Sequence, residues 1–424
     1  MHFESSVRRE VFAICILPLL FLVVNKVEAQ QNPSKSYHFD SVGISKTVLE
    51  NYLDRAITMV YLLTPDKPEG GREYLYHEDD IRMVKEIGAK FLGRAIYRWG
   101  GESVLNSPEY WQTARSIAAD LHQFDSTMVI QGCLFEIVTG GVNEISIPAW
   151  VLTEFGLPAT ARNFSYQAML NEKRVFVDHW GNGKSVPDIS RLETKLWFYY
   201  LAGSYMQIGA EAFHLGQVEL IGMNDPQHEH WNEIIDRIRK KAKSASRRGW
   251  VILDAHVPYG GLLKDGVSLI DFNSFPLRIK EVVGSPLKGE LEQGYLDAIY
   301  NKSLGGVSPS GWESESLPYL VEFDNYGSSK EVGVADTTSH FVWGYDEITW
   351  FSLQSEQERN DWLRYAQQWI KSIDANGHLQ MPGNRMITRE NESNGSYRAN
   401  RISEACLFGY NQEEAILKLW SQNN

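Results

Sequence analysis

Cysteine is scarce in this sequence, and the glycine-rich motifs that bind nucleotides are missing from it. Only Cys133 and Cys406 follow the apolar N-terminal segment, so at most one disulfide can form between them. Cys133 lies in an apolar run, which is typical of a small buried side chain. Neither GxGxxG nor GxxxxGKS/T occurs, which argues against nucleotide binding. A GxSxG elbow is also missing, so a serine nucleophile has little support.

Basic residues are fewer than acidic residues in this chain. The chain has 424 residues, of which 54 are acidic and 41 are basic, and its formal charge is −13. Recognition of nucleic acid needs a basic face, so we do not expect this chain to bind nucleic acid. No motif points to a cofactor or to a dedicated metal site, and none is predicted. The sequence carries no prediction of oligomeric state.

The first 29 residues have the pattern of a secretory signal peptide. Arg8 and Arg9 precede the apolar run Val11–Val24, and a small-residue cleavage site follows at Val27–Ala29. The alternative is an uncleaved membrane anchor, although the run is short for a full span. We therefore predict a secreted or periplasmic protein without stable membrane insertion after cleavage. The polar residues 30–45 are interpreted as a linker.

Segments with strand character alternate with helical segments between residues 46 and 376, which favours an α/β fold with a parallel sheet. Eight such units describe a (β/α)8 TIM barrel, whereas a doubly wound sheet usually carries a glycine-rich turn after its first strand. We also predict an N-terminal helix over Thr47–Leu62 and a C-terminal extension, 377–424, that packs on the barrel. The predicted strands are Phe91–Tyr97, Met128–Ile137, Arg174–Val177, Ala212–Leu220, Trp250–Ala255, Val267–Phe272, Leu317–Phe323 and His340–Gly344.

Several of these strands end in a carboxylate beside a turn rich in glycine or asparagine. The carboxylates are Glu136, Asp178, Glu219, Asp254 and Glu322. A buried strand has little use for charge, whereas the active site of a (β/α)8 barrel is built at the carboxyl ends of its strands. The row of carboxylates therefore indicates acid–base chemistry on a polar substrate, with Glu136 and Asp178 as candidate rim residues.

Glu219 and Glu322 are the best candidates for catalysis among these carboxylates. They lie at the ends of the fourth and seventh predicted strands, and strand alternation puts Glu322 on the same face as Asp324. Glycoside hydrolysis needs two carboxyl groups across the scissile bond, one as acid and one as nucleophile or base. The alternative for each Glu is a structural role, in which it caps the next helix or pairs with an arginine.

The segments Gly216–Glu219 and Leu320–Gly327 resemble strand ends of secreted bacterial (β/α)8 glycoside hydrolases of the retaining, clan A-like kind. The resemblance implies that Glu219 is the general acid/base and that Glu322 is the nucleophile. Those enzymes usually carry Asn directly before the acid, and this chain carries Val218 instead. The resemblance covers roughly residues 90–375 and identifies no specific family.

A second polar cluster follows the fifth predicted strand. Asp254 and His256 share one strand face, and the glycines after Tyr259 allow that loop to approach a ligand closely. We interpret these three residues as substrate-binding, although Asp254 could simply cap the following turn. A metal-dependent hydrolase is an alternative, without a compact HxH or HExxH motif to support it. Its ligands would be His214, Glu219, Asp254 and His256.

Aromatic and polar residues near other strand ends are candidate sugar contacts, since aromatic rings stack on sugars, although a single Trp is often a core residue. Trp99 follows the first predicted strand, Trp312 precedes the seventh, and Trp343 ends the eighth. The complete set of predicted substrate-binding residues is Arg98, Trp99, Glu136, Asp254, His256, Tyr259, Trp312, Asp324, Asn325 and Trp343.

Together these features predict a glycosidase that cleaves a poly- or oligosaccharide, with Glu219 as acid/base and Glu322 as nucleophile. Its predicted partner is a carbohydrate substrate. The metal-dependent hydrolase is the second hypothesis, and a non-catalytic carbohydrate-binding barrel is the third.

Overall fold

The largest element of the fold is a ten-stranded sheet, seen in a computed structural model that describes residues 35–64, 76–257, 259–285, 287–325, 345–387 and 395–422. Nine strands run parallel to their neighbours and the tenth is antiparallel. In chain order they are β1 Ala56–Met59, β2 Phe91–Ile96, β3 Val129–Cys133, β4 Ala212–Gln217, β5 Ile252–His256, β6 Phe272–Pro276, β7 Tyr319–Glu322, β8 Gly377–Leu379, β9 Met381–Met386 and β10 Ser396–Arg398.

The sheet is curled. Its strand order is β8-β7-β6-β5-β4-β3-β2-β1-β9-β10. Strands β8 and β9 are separated in the chain only by Gln380, yet β8 pairs with β7 and β9 pairs with β1. The row of parallel strands therefore curls back so that both of its ends reach one short segment of chain. Because the strands are parallel, their carboxyl ends lie at the same edge of the sheet.

Eleven α-helices connect or flank these strands within the described residues. Several begin at side-chain caps, which satisfy the free N–H groups of a first turn. The hydroxyl of Ser107 accepts from the backbone N–H of Tyr110, and Ser355 and Glu358 form a capping box. The helices are α1 Lys46–Leu53, α2 His77–Glu86, α3 Pro108–Phe124, α4 Ala149–Glu154, α5 Tyr166–Met169, α6 Leu192–Ile208, α7 Val218–Ile221, α8 Glu229–Ala245, α9 Glu347–Ser352, α10 Glu356–Ile373 and α11 Glu413–Gln422.

An apolar layer fills the interior of the curled sheet near the amino ends of its strands. We call this set the lower layer, and all its members are buried. Helix α1 covers it, with Leu49, Tyr52 and Leu53 packed in the same cluster. The lower layer consists of Ala56, Phe91, Val129, Ala212, Ile252, Phe272 and Leu320.

Two predicted strands are wrong. Residues 174–177 form turns in which Arg174 and Phe176 have φ angles of 59° and 54°, and these values exclude an extended strand. The sixth parallel strand is β6, Phe272–Pro276, rather than Val267–Phe272. Val267–Ser268 instead belongs to a separate four-stranded sheet of two-residue strands. Both predictions failed because short apolar runs do not distinguish a strand from a buried loop.

The predicted helix Thr47–Leu62 is correct only in its first half. Helix α1 ends at Leu53, and the buried strand β1 follows directly after the turn at Asp54 and Arg55. All four residues of β1 are buried, and a strand that is buried on both faces shows no alternation. Without that alternation, the apolar residues of β1 look in the sequence like a continuation of the helix.

The segment 377–386, which the sequence assigned to a C-terminal extension, supplies β8 and β9 of the main sheet. The predicted eighth strand, His340–Gly344, lies outside the described residues, as does the predicted signal peptide. The other five predicted strands are confirmed to within about four residues at each end. The α/β architecture with a large parallel sheet is therefore confirmed.

Both described cysteines, Cys133 and Cys406, are free and buried, which confirms the small-residue interpretation of Cys133. Among the residues that the structure describes, no helix combines the length and the apolar character that a membrane crossing requires.

Candidate functional site

A cavity of about 580 Å³ opens at the carboxyl ends of the parallel strands. Its wall takes residues from nearly every strand of the curled sheet or from the turn that follows the strand. Parallel strands that end at one edge bring residues distant in sequence to one place, which is how barrel active sites are built. The charged and polar residues of its wall include Arg94, His214, His256, Ser274, Asp324 and Arg385.

Polar side chains occupy the sheet interior directly above the lower layer. Each of five strands changes from an apolar to a polar inward residue in one step of two positions, because alternate residues of a strand share a face. We call this set the polar layer. It consists of Gln131, His214, Asp254, Ser274 and Glu322.

Asp254 is the centre of one half of the polar layer. Its carboxylate accepts from the amide of Gln131 at 2.6 Å, the hydroxyl of Ser274 at 2.5 Å and Nδ1 of His214 at 2.7 Å. Burial lowers the pKa of His214, which favours the neutral ring despite the nearby Asp254 carboxylate. Nε2 of His214 is buried and has no hydrogen-bond partner among the described residues.

Glu322 lies in the other half of the polar layer and is only 2% exposed. Arg94 donates from Nε to Oε2 at 2.8 Å and from Nη2 to Oε1, and His256 contacts Oε1 at 3.1 Å. Burial alone would raise the pKa of Glu322, but Arg94 and His256 hold it well below its usual range. Glu322 is therefore an ionised carboxylate, placed behind the Arg94 and His256 side chains that line the cavity.

Glu136 follows β3 and is held by β4. Its two carboxylate oxygens accept from the backbone N–H of Gln217 at 3.1 Å and from the side-chain amide at 3.0 Å. Gly216 makes this approach possible, since its φ is +66° and a Cβ there would collide with Oε2 of Glu136. Glu136 thus lines the cavity in a fixed orientation.

Glu219 lies on the short helix α7, directly after β4, and lines the cavity on the same side as Glu136. Its side chain is exposed, in contrast to that of Glu322. Partial burial of the carboxyl group raises its pKa, and the opposing effect of His228 is smaller. A carboxyl group with a raised pKa at a cavity wall is suited to donate a proton.

The opposite wall carries a cluster of arginines and carboxylates. Asp324 accepts from Nη2 of Arg385 at 2.8 Å and lies 4.0 Å from Nη1 of Arg278. Burial would raise the pKa of Asp324, but these two guanidinium groups lower it. Arg278 also donates to Glu347 at 2.7 Å, and burial raises the pKa of Glu347 to about 8. Asp324 is therefore ionised, whereas Glu347 is largely protonated at neutral pH.

Aromatic rings form another part of the wall. Trp99 packs edge-on against Phe135 and Trp180, with ring centroids 5.3 Å and 5.2 Å apart. The indole N–H of Trp180 donates to the backbone carbonyl of Glu136 at 2.8 Å. These contacts hold the indole rings of Trp99 and Trp180 at the cavity, where flat apolar faces suit sugar rings.

The predicted site residues fall into three groups. The cavity wall includes Trp99, Glu136, Glu219, His256, Asp324 and Asn325. Asp254 and Glu322 are buried in the polar layer behind it. The remaining predicted residues that the structure describes are placed elsewhere, and they are Arg98, Tyr259, Trp312 and Asp178.

Those last residues have other surroundings. Arg98 lies over the ring of Tyr110 at 4.9 Å, and Tyr259 is 79% exposed. The indole of Trp312 donates to the carbonyl of Ile44 at 2.9 Å and packs beside the lower layer, at the other end of the sheet. Trp343 lies outside the described residues.

Sequence reasoning missed Arg94, Arg385 and Trp180 as wall residues. Arg94 had a usable signal, because it interrupts the otherwise apolar strand β2 and burying an unpaired charge is costly. Arg385 gave no such signal, since its strand was assigned to a loop-rich extension.

The metal hypothesis receives no support from the arrangement of its four residues. Among the described residues, no group of three or more His, Cys, Asp or Glu side chains is placed so that it could hold a metal ion.

The chain has only distant similarities to known proteins. No protein-family model matches the chain, and no curated protein matches it significantly. Solved structures that resemble it include cyclic α-maltosyl-(1→6)-maltose hydrolase from Arthrobacter globiformis in complex with maltose, at a TM-score of 0.47 and 10% identity. That match covers 88% of this chain and 83% of the other.

Two further solved structures are similar. The Nostoc punctiforme debranching enzyme matches with a TM-score of 0.43 and 9% identity over 88% of this chain and 81% of its own. The α-galactosidase of Thermus thermophilus matches with a TM-score of 0.32 and 11% identity over 52% of this chain. The match spans only 40% of that enzyme's chain. All three are glycoside hydrolases, and the low identities do not assign this chain to any of their families.

Proposed function

We propose that the chain is a glycoside hydrolase that cleaves a poly- or oligosaccharide by a two-carboxylate mechanism at this cavity. The observation that carries the proposal is the contrast between carboxyl groups that lie at the cavity wall or directly behind it. Glu219 has a raised pKa, whereas Glu322 and Asp324 have lowered ones. When the environment raises the pKa of one carboxyl group and lowers that of another, the first can donate a proton and the second can act as an ionised nucleophile or base.

We infer in addition that the parallel strands close as a (β/α)8 barrel. The support is that β8 and β9, which are separated only by Gln380, pair with strands at the two ends of the row. In such a barrel, Glu219 follows the fourth strand and Glu322 ends the seventh. Secretion or export to the periplasm is part of the proposal and rests on the signal-peptide pattern of residues 1–29 alone.

In the proposed mechanism, Glu219 protonates the leaving-group oxygen and later activates water, and Glu322 attacks the anomeric carbon. Arg94 keeps Glu322 ionised. Oε1 accepts from both Arg94 and His256, but Oε2 accepts only from Nε of Arg94 among the described contacts. Since a carboxylate oxygen has two lone pairs, Oε2 retains one for attack. The flat rings of Trp99 and Trp180 would hold the sugar.

The test is a panel of plant and algal oligosaccharides, with released reducing ends as the measurement. Glu219→Gln should slow turnover by roughly 10²- to 10⁴-fold, as expected for loss of a general acid. A substrate with an activated aryl leaving group should recover much of kcat/KM, which reports the first step, because departure of that group needs no protonation. The later step, in which Glu219 activates water, should stay slow. Glu144→Gln, an exposed carboxylate on a 3-10 helix away from the cavity wall, is the matched control.

Glu322→Gln should abolish turnover of both substrate types, since a nucleophile is needed whatever the leaving group. Removal of this carboxylate also leaves Arg94 without its main partner, so folding must be checked by circular dichroism. Asp324→Asn tests which of the two ionised carboxylates, Glu322 or Asp324, is the nucleophile. Full loss in Asp324→Asn with activity retained in Glu322→Gln would move the nucleophile to Asp324. Sugar binding without cleavage of any substrate would instead support a carbohydrate-binding protein.

A further inference from the structure

Arg385 is a buried cation with unused hydrogen-bond donors at the cavity wall. Its side chain is 3% exposed, and it comes from β9, near the carboxyl end of the strand. A guanidinium group has five N–H donors and no acceptor. Nη2 donates to Asp324 at 2.8 Å, while Nε and Nη1 are buried and find no partner among the described residues. Within the described part of the chain, three N–H groups, one on Nε and two on Nη1, therefore lack an acceptor.

A buried donor without an acceptor costs free energy, more so when the group is charged. A ligand in the adjoining cavity can supply the missing acceptor. The other arginines of this wall differ in this respect, because the Arg94 guanidinium is paired with Glu322 and Arg278 donates to Glu347 and Asp297. Of these three arginines, Arg385 is the one with hydrogen-bond donors that find no acceptor among the described residues.

The surrounding charges indicate where an anionic group would be placed. Glu136 and Glu219 follow β3 and β4, whereas Arg278 and Arg385 come from the region of β6 and β9. An anion is repelled by the first pair and attracted by the second. Arg278 contacts three carboxyl groups, those of Asp297, Asp324 and Glu347, whereas the described contacts of Arg385 include only that of Asp324.

We propose that Arg385 binds an anionic oxygen group of the substrate, so that the cavity takes an acidic sugar. The group is a carboxylate or a sulfate ester, both of which offer only acceptors and match a planar guanidinium. This inference rests on the proposed function in one respect, namely that the bound sugar is a substrate. Binding of the sugar does not depend on turnover. Arg385 would act by direct contact with the bound sugar and would take no part in bond cleavage.

The experiment is a titration of the whole protein with sugar pairs at constant ionic strength. The probes are glucuronate and galacturonate, their methyl esters, and glucose 6-sulfate with glucose as its neutral partner. Fluorescence of Trp99 and Trp180 at the cavity wall reports binding, and isothermal calorimetry confirms it. The expected result is at least tenfold tighter binding of the acid than of its ester, or of the sulfate than of glucose.

Two variants decide whether Arg385 is responsible. Arg385→Gln should remove the preference for the charged sugar, while Arg115→Gln, which makes the same charge change at an exposed position of α3, should keep it. If Arg385→Gln does not fold, Arg385→Lys carries the test. It keeps the charge but loses the planar donors, and a several-fold weaker preference is expected.

The outcomes separate the two proposals. A preference for the uronates identifies a carboxylate, and a preference for the sulfate alone identifies a sulfate ester. Equal binding of charged and neutral partners, or an unchanged preference in Arg385→Gln, overturns the inference even if neutral oligosaccharides are cleaved. A preference for charged sugars that depends on Arg385, without cleavage of any acidic or neutral oligosaccharide, supports the inference. The same result contradicts the proposed hydrolase function.

Discussion

The lower layer and the polar layer lie on the same faces of the same strands, and they are built from opposite kinds of residue. In β3, Val129 is followed two positions later by Gln131, and in β6, Phe272 is followed by Ser274. The lower layer packs under helix α1, whereas the polar layer underlies an open cavity. The difference shows that one end of the sheet interior provides stability and that the other end holds charge in place for chemistry.

The largest expected effect is in the lower layer. Phe272→Ala removes a fully buried ring that packs edge-on against Phe91 at 5.8 Å. Loss of a buried Phe costs about 3–5 kcal/mol, through lost burial and the cavity that remains. Urea unfolding measures this change. Phe124→Ala, at a ring that is 57% exposed, is the control and should cost less than about 0.5 kcal/mol.

Ser274→Ala sharpens the same comparison two residues further along β6. It removes the hydroxyl that donates to Asp254, for which about 1–3 kcal/mol is expected. A cost for Ser274→Ala that equals that of Phe272→Ala would contradict the division of the sheet interior into a stabilising layer and a functional one.

The next effect concerns pH and belongs to the carboxyl end of the sheet. Glu347 has a pKa of about 8 in the folded protein against an ordinary value of 4.5, so the folded state keeps a proton that the unfolded state loses. Its contribution to stability is therefore present below about pH 4.5 and is lost as pH rises through 8. Glu347→Gln keeps the acceptor for Arg278 but cannot ionise. Its stability relative to the natural protein should rise over that window, on the order of 3 kcal/mol.

Urea unfolding of both proteins at pH 5 and pH 8 measures this difference. Glu109→Gln, the same substitution at an exposed carboxylate in the first turn of α3, is the control. A pH dependence that is the same in Glu347→Gln and in the natural protein would show that Glu347 is ionised in the folded state.

The smallest effect isolates a single close contact at the cavity. Gly216→Ala combines a left-handed backbone with a collision against Glu136, whereas Gly294→Ala has the same φ of +66° and no atom within 4 Å of the added Cβ. The backbone strain of about 1–2 kcal/mol is shared by both. Gly216→Ala should therefore cost about 1 kcal/mol more in unfolding experiments and should reduce activity by moving Glu136. Equal costs would mean that Glu136 is free to shift.

The sequence predicted the local elements better than their assembly. The start of helix α1 was predicted to within one residue, because helical spacing of apolar residues is a local signal. The fourth and seventh positions of Glu219 and Glu322 agree with the observed strands, although β1 was missed and Arg174–Val177 was counted in its place. The two errors cancelled in the strand count, since one strand was missed and one was added before Glu219. Both errors arose because the segments are short and only strand pairing distinguishes them.

The site was predicted in part for a similar reason. Strand alternation put Glu322 and Asp324 on one face, and both lie at or directly behind the cavity wall. Trp312 looked like a pocket residue because it lies in a Gly- and Ser-rich loop, but the loop packs at the other end of the sheet. The composition of a loop does not show at which end of the sheet the loop lies.

The amino-acid sequence by itself determined where most of the helices and strands lie and which residues of a strand share a face, because those properties depend on spacings of two to four residues. Only the tertiary structure decided which charges pair. Arg94 and Glu322 are 228 positions apart, and Arg385 reaches Asp324 from a segment that looked like a loop. Pairing and burial set the protonation of these groups, and both arise only when the curled sheet brings its distant strand ends together.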